Sequence, residues 1–173
     1  MNDYSRLAKT IRLLALDVDG VLTDGRIYYG NDGEELKSFS IKDGLGIKLL
    51  QRDGIEVVII TGRSSNIVDR RAGELGISEV VQGREDKLTA LEEICSRRSL
   101  RPEECAYMGD DLPDLAAVKA AGLGLAPADA VARLTDAADW VSDYKGGAGA
   151  VRQAAEQLLQ WRGTLDSVLA EFA

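Results

Sequence analysis

The chain has 173 residues, enough for one compact domain with its own core. Apolar residues make up 45% and charged residues 29%, which excludes a largely disordered chain. The formal net charge of −8 argues against nucleic acid as a partner, and the absence of histidine excludes Ser–His–Asp triads, Cys–His pairs and histidine metal sites. Acid–base chemistry must therefore come from carboxylates, lysine, tyrosine or cysteine.

The N-terminal segment and the two cysteines indicate neither secretion nor a membrane span. The first apolar stretch, 13–16, ends at Asp17 and is far too short for a signal peptide or a transmembrane helix. Cys95 and Cys105 are too few for a disulfide framework, and Cys95 shares a helix face with apolar neighbours, as a core residue does. We expect a cytoplasmic protein with no membrane partner.

Short apolar runs alternate with amphipathic stretches along the chain. The predicted strands are 13–16, 57–60, 80–81, 106–108, 123–126 and 140–141, and the predicted helices are 43–52, 65–75, 86–98, 112–121, 128–136 and about 148–162. Such alternation is typical of a parallel sheet covered by helices on both faces. We predict an α/β, Rossmann-like fold that forms a single domain over residues 1–173.

One segment interrupts this alternation directly after the first strand. Residues 26–41, RIYYGNDGEELKSFSI, predict a β-hairpin around an Asn-Asp-Gly turn. A two-stranded ribbon cannot bury both of its faces against its own domain. We therefore expect the hairpin to pack against another subunit, with docking on its own domain as the alternative.

Polar residues follow four of the predicted strands, where a parallel sheet binds its ligands. They are Asp17 and Asp19 after the first strand, Thr61, Gly62 and Arg63 after the second, Lys87 after the third, and Asp110, Asp111 and Asp114 after the fourth. Since the carboxyl ends of parallel strands meet at one edge, we expect these side chains to form one site.

The carboxylates of this set predict a magnesium site. Crowded aspartates repel one another, which raises some of their pKa values unless a cation is present, and ligands that are all oxygen favour Mg²⁺ over zinc or copper. A calcium loop does not fit D-V-D-G-V-L, because Val21 stands where a third oxygen ligand is needed. An Asx-turn is the remaining structural interpretation of Asp17 and Asp19.

Lys87 and Thr61 predict a bound anion beside that metal. Lys87 lies in the first turn of its helix, where the helix dipole disfavours a cation, so a functional reason for it is expected. Mg²⁺, an ammonium, a hydroxyl and backbone amides together describe a phosphoryl site. A solvated surface lysine is the alternative.

In order and spacing, DVDGVLTDG, TGR, the later lysine and GDDLPD resemble the four motifs of the haloacid dehalogenase superfamily of phosphatases. The resemblance implies that Asp17 attacks phosphorus to form an aspartyl-phosphate and that Asp19 serves as general acid and then general base. It implies that Mg²⁺ is held by Asp17, the backbone carbonyl of Asp19 and Asp110. Thr61, Gly62 and Lys87 would bind the phosphoryl oxygens, with Asp111 and Asp114 supporting the metal ligands from behind.

A closer resemblance is to the 3-deoxy-D-manno-octulosonate 8-phosphate phosphatase family, carried by the hairpin with LKSFSIKDGLGIKLL, by YMGDDLPDL and by GGAGAVR. The stretches between the motifs are too short for a cap domain, so the family's uncapped architecture is implied. The resemblance further implies a homotetramer assembled through hairpin 26–41 and a place in lipopolysaccharide biosynthesis. The tail, 163–173, is either a frayed end or a segment that acts near a neighbouring subunit's site.

The substrate prediction depends on three residues. Arg63 follows Thr61 and Gly62 at the position where the similar phosphatases of nine-carbon sugar acid 9-phosphates are expected to have Glu, so the resemblance favours an octulosonate and leaves the nine-carbon sugar acid 9-phosphate as the alternative. A basic residue there suits a substrate that bears a carboxylate and a phosphate, and a surface salt bridge is the other interpretation of Arg63. Two departures from the family pattern also bear on the substrate: Gln153 stands where the family usually has Glu, and Pro113 lies inside the fourth motif.

Two other classes of protein share part of this pattern. A response-regulator receiver also places an acidic pair, a Thr and a Lys around Mg²⁺, but its phosphorylated Asp lies on a later strand. A non-catalytic assembly module of sugar-acid metabolism would have lost some of Asp17, Asp19, Lys87 or Asp110, and all four are present.

Overall fold

The computed structural model describes residues 4–172. Its strands are β1 (Leu13–Leu16), β2 (Tyr28–Tyr29), β3 (Glu35–Leu36), β4 (Glu56–Ile60), β5 (Val80–Val81), β6 (Cys105–Met108), β7 (Leu123–Ala126) and β8 (Trp140–Val141). Its α-helices are α1 (Tyr4–Thr10), α2 (Ile41–Arg52), α3 (Asn66–Leu75), α4 (Lys87–Arg97), α5 (Leu115–Ala120), α6 (Ala132–Thr135), α7 (Ala150–Arg162) and α8 (Leu165–Leu169). All six predicted sheet strands are present.

Six of the strands form one parallel sheet in the order β5-β4-β1-β6-β7-β8. Counting only these parallel strands, the order is the Rossmann order 3-2-1-4-5-6, whereas receivers have the order 2-1-3-4-5. The receiver alternative is therefore wrong, and the predicted α/β, Rossmann-like class is confirmed. The order reverses around β1, so the carboxyl ends of β1, β4 and β6 border the crevice in which such sheets bind ligands.

The sheet has an apolar core on each face, which is why its strands read as continuous apolar runs. Leu14 and Leu16 of β1 point to one side and pack with α2, α3 and α7, whereas Leu13 and Ala15 point to the other side and pack with α4 and α5. Cys95 belongs to this second core, as predicted.

Helices α2 and α7 approach each other closely on one face of the sheet. A Cβ on Gly46 of α2 would lie 2.9 Å from the Cα atom of Arg152 in α7, so only glycine permits this spacing. The buried Asp43 carboxylate accepts hydrogen bonds from the amides of Gly149 (3.3 Å) and Arg152 (2.8 Å) at the start of α7. Its charge thus lies at the N-terminus of that helix, where an anion is stabilised.

The hairpin is shorter than the predicted 26–41, because β2 and β3 each contain only two residues. Its apolar side chains remain exposed: Ile27 by 48%, Tyr28 by 40%, Tyr29 by 71% and Leu36 by 55%. These residues are thus not docked on the hairpin's own domain.

The ends of the chain contain two helices that the sequence did not predict. The carbonyls at the end of α1 accept hydrogen bonds from Nη1 of Arg162, at 2.9 Å from Ala8 and 3.0 Å from Ile11. The tail is helical over α8 and a following 3₁₀ turn, Ala170–Phe172, so a frayed end is wrong for residues up to 172; residue 173 lies outside the described part.

The other helix predictions differ in detail. The segment predicted as helix 112–121 is a 3₁₀ turn, Leu112–Asp114, followed by α5, and Pro113 lies in that turn where no amide is required. The helix predicted at 128–136 is only α6. Within residues 4–172, no helix is long and apolar enough to cross a bilayer.

Candidate active site

A cavity of about 250 Å³ opens at the carboxyl ends of the central strands. Every site residue predicted from the sequence lines it, together with Gly25, Glu85 and Pro113: Asp17, Asp19, Thr61, Gly62, Arg63, Lys87, Asp110, Asp111 and Asp114. The structure therefore brings the predicted residues of all four strand ends together in one cavity.

Asp17 lies at the buried centre of this cavity. Its Oδ1 accepts a hydrogen bond from the amide of Val18 (2.7 Å) and lies 3.0 Å from Nζ of Lys87. Burial, with the charge of Asp114, raises the pKa of Asp17 to about 7, although Lys87 opposes the shift. Both contacts go to Oδ1, which leaves Oδ2 as the oxygen for a metal or an electrophile.

Lys87 begins α4 and its ammonium reaches back under the sheet edge. The side chain is 2% exposed, and Nζ lies 3.0 Å from Asp17 Oδ1, 3.0 Å from Asp114 Oδ1 and 3.1 Å from the carbonyl oxygen of Ile60. Burial lowers the pKa of an ammonium, but the two carboxylates outweigh it, so the pKa of Lys87 is raised. The surface alternative for this lysine is thus wrong.

Asp114 holds several neighbouring groups of the site in place through hydrogen bonds. Its Oδ1 accepts hydrogen bonds from Lys87 Nζ and from the hydroxyl of Tyr107 (2.8 Å), and its Oδ2 accepts from the amides of Asp110 (3.1 Å) and Asp111 (3.4 Å). With four donors already in place, this carboxylate supports the others and has little capacity left for a metal.

Tyr107 is a residue of the site that the sequence analysis missed. It is fully buried in β6, and burial with the charges of Asp114 and Asp17 raises its pKa well above the usual value. It therefore acts as a neutral donor that fixes Asp114. The available signal was a lone phenol in an apolar strand directly before the acidic cluster.

The Asp110 carboxylate lies directly against Gly20, in the loop after β1. Burial, with the charges of Asp17 and Asp114, raises the pKa of Asp110 to about 7. A Cβ on Gly20, whose φ is +89°, would lie 1.9 Å from Oδ2 of Asp110. Only glycine permits this conformation and this approach at once.

These carboxylates fit a hard divalent cation. One carboxylate oxygen from each of Asp17, Asp110 and Asp114 lies within 4.8 Å of the other two. Since Asp114 already accepts four hydrogen bonds, Asp17 and Asp110 are the carboxylates left for a metal. A cation between Asp17 and Asp110 would relieve the repulsion that raises both pKa values. The donor chemistry therefore fits Mg²⁺.

Thr61 is buried at the end of β4, and Gly62 follows it in the cavity wall. The amide of Thr61 is bonded to the carbonyl of Val81 (2.8 Å). The Thr61 amide is therefore not available to an anion. The remaining donors are the Thr61 hydroxyl and the amides of the residues that follow it.

Asp19 belongs to a ring of four alternating charges that the sequence did not indicate. Nζ of Lys37 lies 2.5 Å from Asp19 Oδ1 and 3.3 Å from Glu35 Oε1. Nη2 of Arg63 lies 2.9 Å from Glu35 Oε2, and Nε of Arg63 lies 3.8 Å from Asp19 Oδ2. Arg63 thus lines the cavity while one face of its guanidinium is paired with the hairpin.

Gln153 lies outside this cavity. Its Oε1 accepts hydrogen bonds from the hydroxyl of Ser142 (2.6 Å) and the amide of Asp143 (2.8 Å), and its Nε2 donates to Asp143 Oδ2 (2.7 Å). A glutamate could not make this last contact, so the local chemistry at Asp143 accounts for glutamine here.

Comparison with known proteins agrees with the geometry. The model of the haloacid dehalogenase-like hydrolases matches residues 71–154. The 3-deoxy-D-manno-octulosonate 8-phosphate phosphatase KdsC of Escherichia coli K12 is 48% identical over 164 residues, which cover 95% of this chain and 87% of that protein.

Two solved structures are also similar. The 3-deoxy-D-manno-octulosonate 8-phosphate phosphatase of Moraxella catarrhalis, in complex with a magnesium ion, a phosphate ion and a KDO molecule, is 46% identical with a TM-score of 0.97, covering 100% of this chain and 99% of that one. The cobalt-bound enzyme of Haemophilus influenzae is 40% identical with a TM-score of 0.88, covering 92% and 93% of the two chains. The chain therefore belongs to the 3-deoxy-D-manno-octulosonate 8-phosphate phosphatase family of haloacid dehalogenase-like hydrolases.

Proposed function

We propose that this protein is a Mg²⁺-dependent phosphatase that converts 3-deoxy-D-manno-octulosonate 8-phosphate into 3-deoxy-D-manno-octulosonate and phosphate. The observation that carries the proposal is the buried Asp17 carboxylate, paired with Lys87 on one side and facing Asp110 on the other. This arrangement offers a nucleophile, a cation for the transferring group and a metal site within one cavity.

The reaction has two steps at Asp17. In the first, an oxygen of Asp17 attacks phosphorus and the bond to the sugar oxygen breaks, while Asp19 gives that oxygen a proton. In the second, Asp19 takes a proton from water as the water attacks phosphorus, which releases phosphate and restores the Asp17 carboxylate. An alkoxide is a poor leaving group, which is why the first step needs an acid.

Asp17, Asp110 and the backbone carbonyl of Asp19 would hold Mg²⁺. When bound, the ion neutralises charge that builds up on the phosphoryl oxygens. Lys87, the Thr61 hydroxyl and the amide of Gly62 bind the same oxygens from the protein side. Asp114 and Asp111 keep Lys87 and the Asp110 loop in place.

The sugar acid is the substrate that the family relationship supports. Arg63 lines the cavity and presents a guanidinium, a group that binds carboxylates well. The place of the enzyme is then lipopolysaccharide biosynthesis in the cytoplasm, where the free sugar acid is used. A nine-carbon sugar acid 9-phosphate is the competing substrate.

We also propose that the hairpin joins copies of this chain into a homotetramer. The support is the apolar surface of the hairpin, which its own domain leaves exposed at Ile27, Tyr28, Tyr29 and Leu36. Exposed apolar patches of this kind mark protein interfaces. Deletion of residues 28–36 should yield monomers on sizing with light scattering, and an unchanged oligomer would contradict this assignment.

The test of the proposed reaction is phosphate release from octulosonate 8-phosphate, a nonulosonate 9-phosphate and hexose phosphates, with Mg²⁺ or with EDTA. We expect Mg²⁺-dependent release with a clear preference for the octulosonate. Asp17→Asn should be folded and inactive, while the exposed Asp136→Asn serves as the matched control. Comparable activity of Asp17→Asn would contradict the proposal, and preference for the nonulosonate would change the substrate.

A further inference from the structure

Lys37 contacts Asp19 without reaching the cavity that Asp19 lines. The ammonium lies 2.5 Å from Asp19 Oδ1, its side chain is 2% exposed, and the cavity wall contains Asp19 and Arg63 but not Lys37. An exposed ion pair holds its partners loosely, whereas a lysine enclosed by protein has a fixed position. The contact therefore restricts the orientation of Asp19.

The enclosed ammonium is itself held by the hairpin. Glu35, in β3, lies 3.3 Å from Nζ of Lys37 and also accepts a hydrogen bond from Arg63 at 2.9 Å. Glu35 and Lys37 stand two residues apart, so the hairpin and the segment after it supply one anion and one cation to the ring. The orientation of Asp19 is thus set by a segment other than the loop that carries it.

The two oxygens of Asp19 have different surroundings. Oδ1 accepts a hydrogen bond from Lys37, whereas Nε of Arg63 lies 3.8 Å from Oδ2, beyond hydrogen-bond distance. Oδ2, which Lys37 does not contact, is therefore the oxygen that remains free to face a leaving group. A general acid needs one of its oxygens held in a fixed orientation toward the leaving group.

We propose that Lys37 is a positioning residue for the general acid: it holds Oδ1 of Asp19 so that Oδ2 delivers the proton to the leaving sugar oxygen. This inference rests on the acid role proposed above for Asp19. It assigns Lys37 no contact with substrate or metal. It predicts that replacement of Lys37 lowers kcat/KM most for substrates whose leaving group needs a proton.

The test compares leaving groups. The ratio kcat/KM reports steps up to phosphoryl transfer to Asp17, so it isolates the step in which Asp19 acts as an acid. 4-Nitrophenolate leaves without a proton, whereas phenolate and the sugar alkoxide need one. For Lys37→Met we expect kcat/KM to change by less than about 3-fold with 4-nitrophenyl phosphate and to fall about 30-fold or more with phenyl phosphate and octulosonate 8-phosphate.

Matched variants separate positioning from a loss of structure. Lys37→Arg should recover most of the activity toward phenyl phosphate, and Glu35→Gln should give a weaker form of the Lys37→Met pattern. Lys119→Met, on the exposed face of α5, should behave as the unaltered protein. If Lys37→Met does not fold, Lys37→Gln and Glu35→Gln provide the same comparison.

Each outcome decides the matter. Equal losses on all substrates, or no loss on any, would overturn the proposal for Lys37. Asp19→Asn is measured alongside: if it lacks the leaving-group dependence, the acid assignment of the proposed function fails. If Asp19→Asn shows the dependence and Lys37→Met does not, only the inference about Lys37 fails.

Discussion

Replacement of Lys87 by methionine tests how the carboxylates of the site are balanced. Lys87 places a 2% exposed ammonium 3.0 Å from Asp17 and 3.0 Å from Asp114, with Asp110 in the same cluster. Methionine has a similar length, so the main change is the loss of one buried positive charge. Removal of one partner from a buried ion pair costs about 3–5 kcal/mol.

This cost translates into a measurable shift in melting temperature. For a domain of this size, 1 kcal/mol corresponds to roughly 2–4 °C, so the metal-free Lys87→Met variant should melt about 6–20 °C lower than the unaltered protein. Saturating Mg²⁺ restores positive charge beside Asp17 and Asp110, so the difference should shrink. Activity should fall by at least about 10²-fold, because a donor to the phosphoryl group is lost.

The assay is thermal unfolding followed by circular dichroism, with EDTA and with excess Mg²⁺. The exposed Lys119→Met is the control, and it should melt within about 2 °C of the unaltered protein. A shift for Lys87→Met as small as that of the control would refute the charge-balance argument. A large shift that Mg²⁺ does not reduce would also contradict it, since metal and lysine would then act on separate groups.

Three further predictions concern the metal site and the departure at position 153. The pKa values of Asp17 and Asp110 are about 7 in the folded protein against an ordinary 3.8, so the folded state binds more protons than the unfolded state between these values. Urea titrations with EDTA should therefore show the free energy of unfolding falling from about pH 4 to about pH 7, and a rise over this range would contradict the shift. Gly20→Ala should weaken Mg²⁺ binding at least about 10-fold by calorimetry, because the added Cβ collides with Asp110. Gly54→Ala is the control and should bind Mg²⁺ normally, because Gly54 has a similar φ of +82° but no heavy atom lies within 4 Å of its Cβ. Gln153→Glu should lower the free energy of unfolding in urea by about 1 kcal/mol, because the amide that donates to Asp143 is lost. The same variant should leave kcat/KM unchanged, and a changed preference among sugar acid phosphates would contradict the placement of Gln153 outside the site.

The sequence predicted the sheet and most of the cavity because their signals are local. Each parallel strand is a continuous apolar run, and the residue after the run marks its carboxyl end, so Asp17, Thr61 and Asp110 could be placed at one edge. Lys87 was found for the opposite reason, since a cation at the start of a helix breaks a local preference.

Other features depend on partners distant in the chain. Lys37 contacts Asp19 from 18 residues away, and nothing in its own neighbourhood distinguishes it from a surface lysine. Tyr107 is hidden among apolar strand residues. Helix α1 buries only Ala8 and is held by Arg162 from the far end of the chain, so it has no periodic apolar pattern to find.

The central claim is that Asp17 carries the phosphoryl group, and chemical trapping tests it most directly. The protein is mixed rapidly with Mg²⁺ and octulosonate 8-phosphate, quenched, and treated with borohydride, which reduces an aspartyl-phosphate to homoserine. Tandem mass spectrometry of the peptides then locates the modified residue. We expect homoserine at position 17, dependent on substrate and Mg²⁺. Modification at Asp19 or Asp110 instead, or none while phosphate is released, would contradict the account.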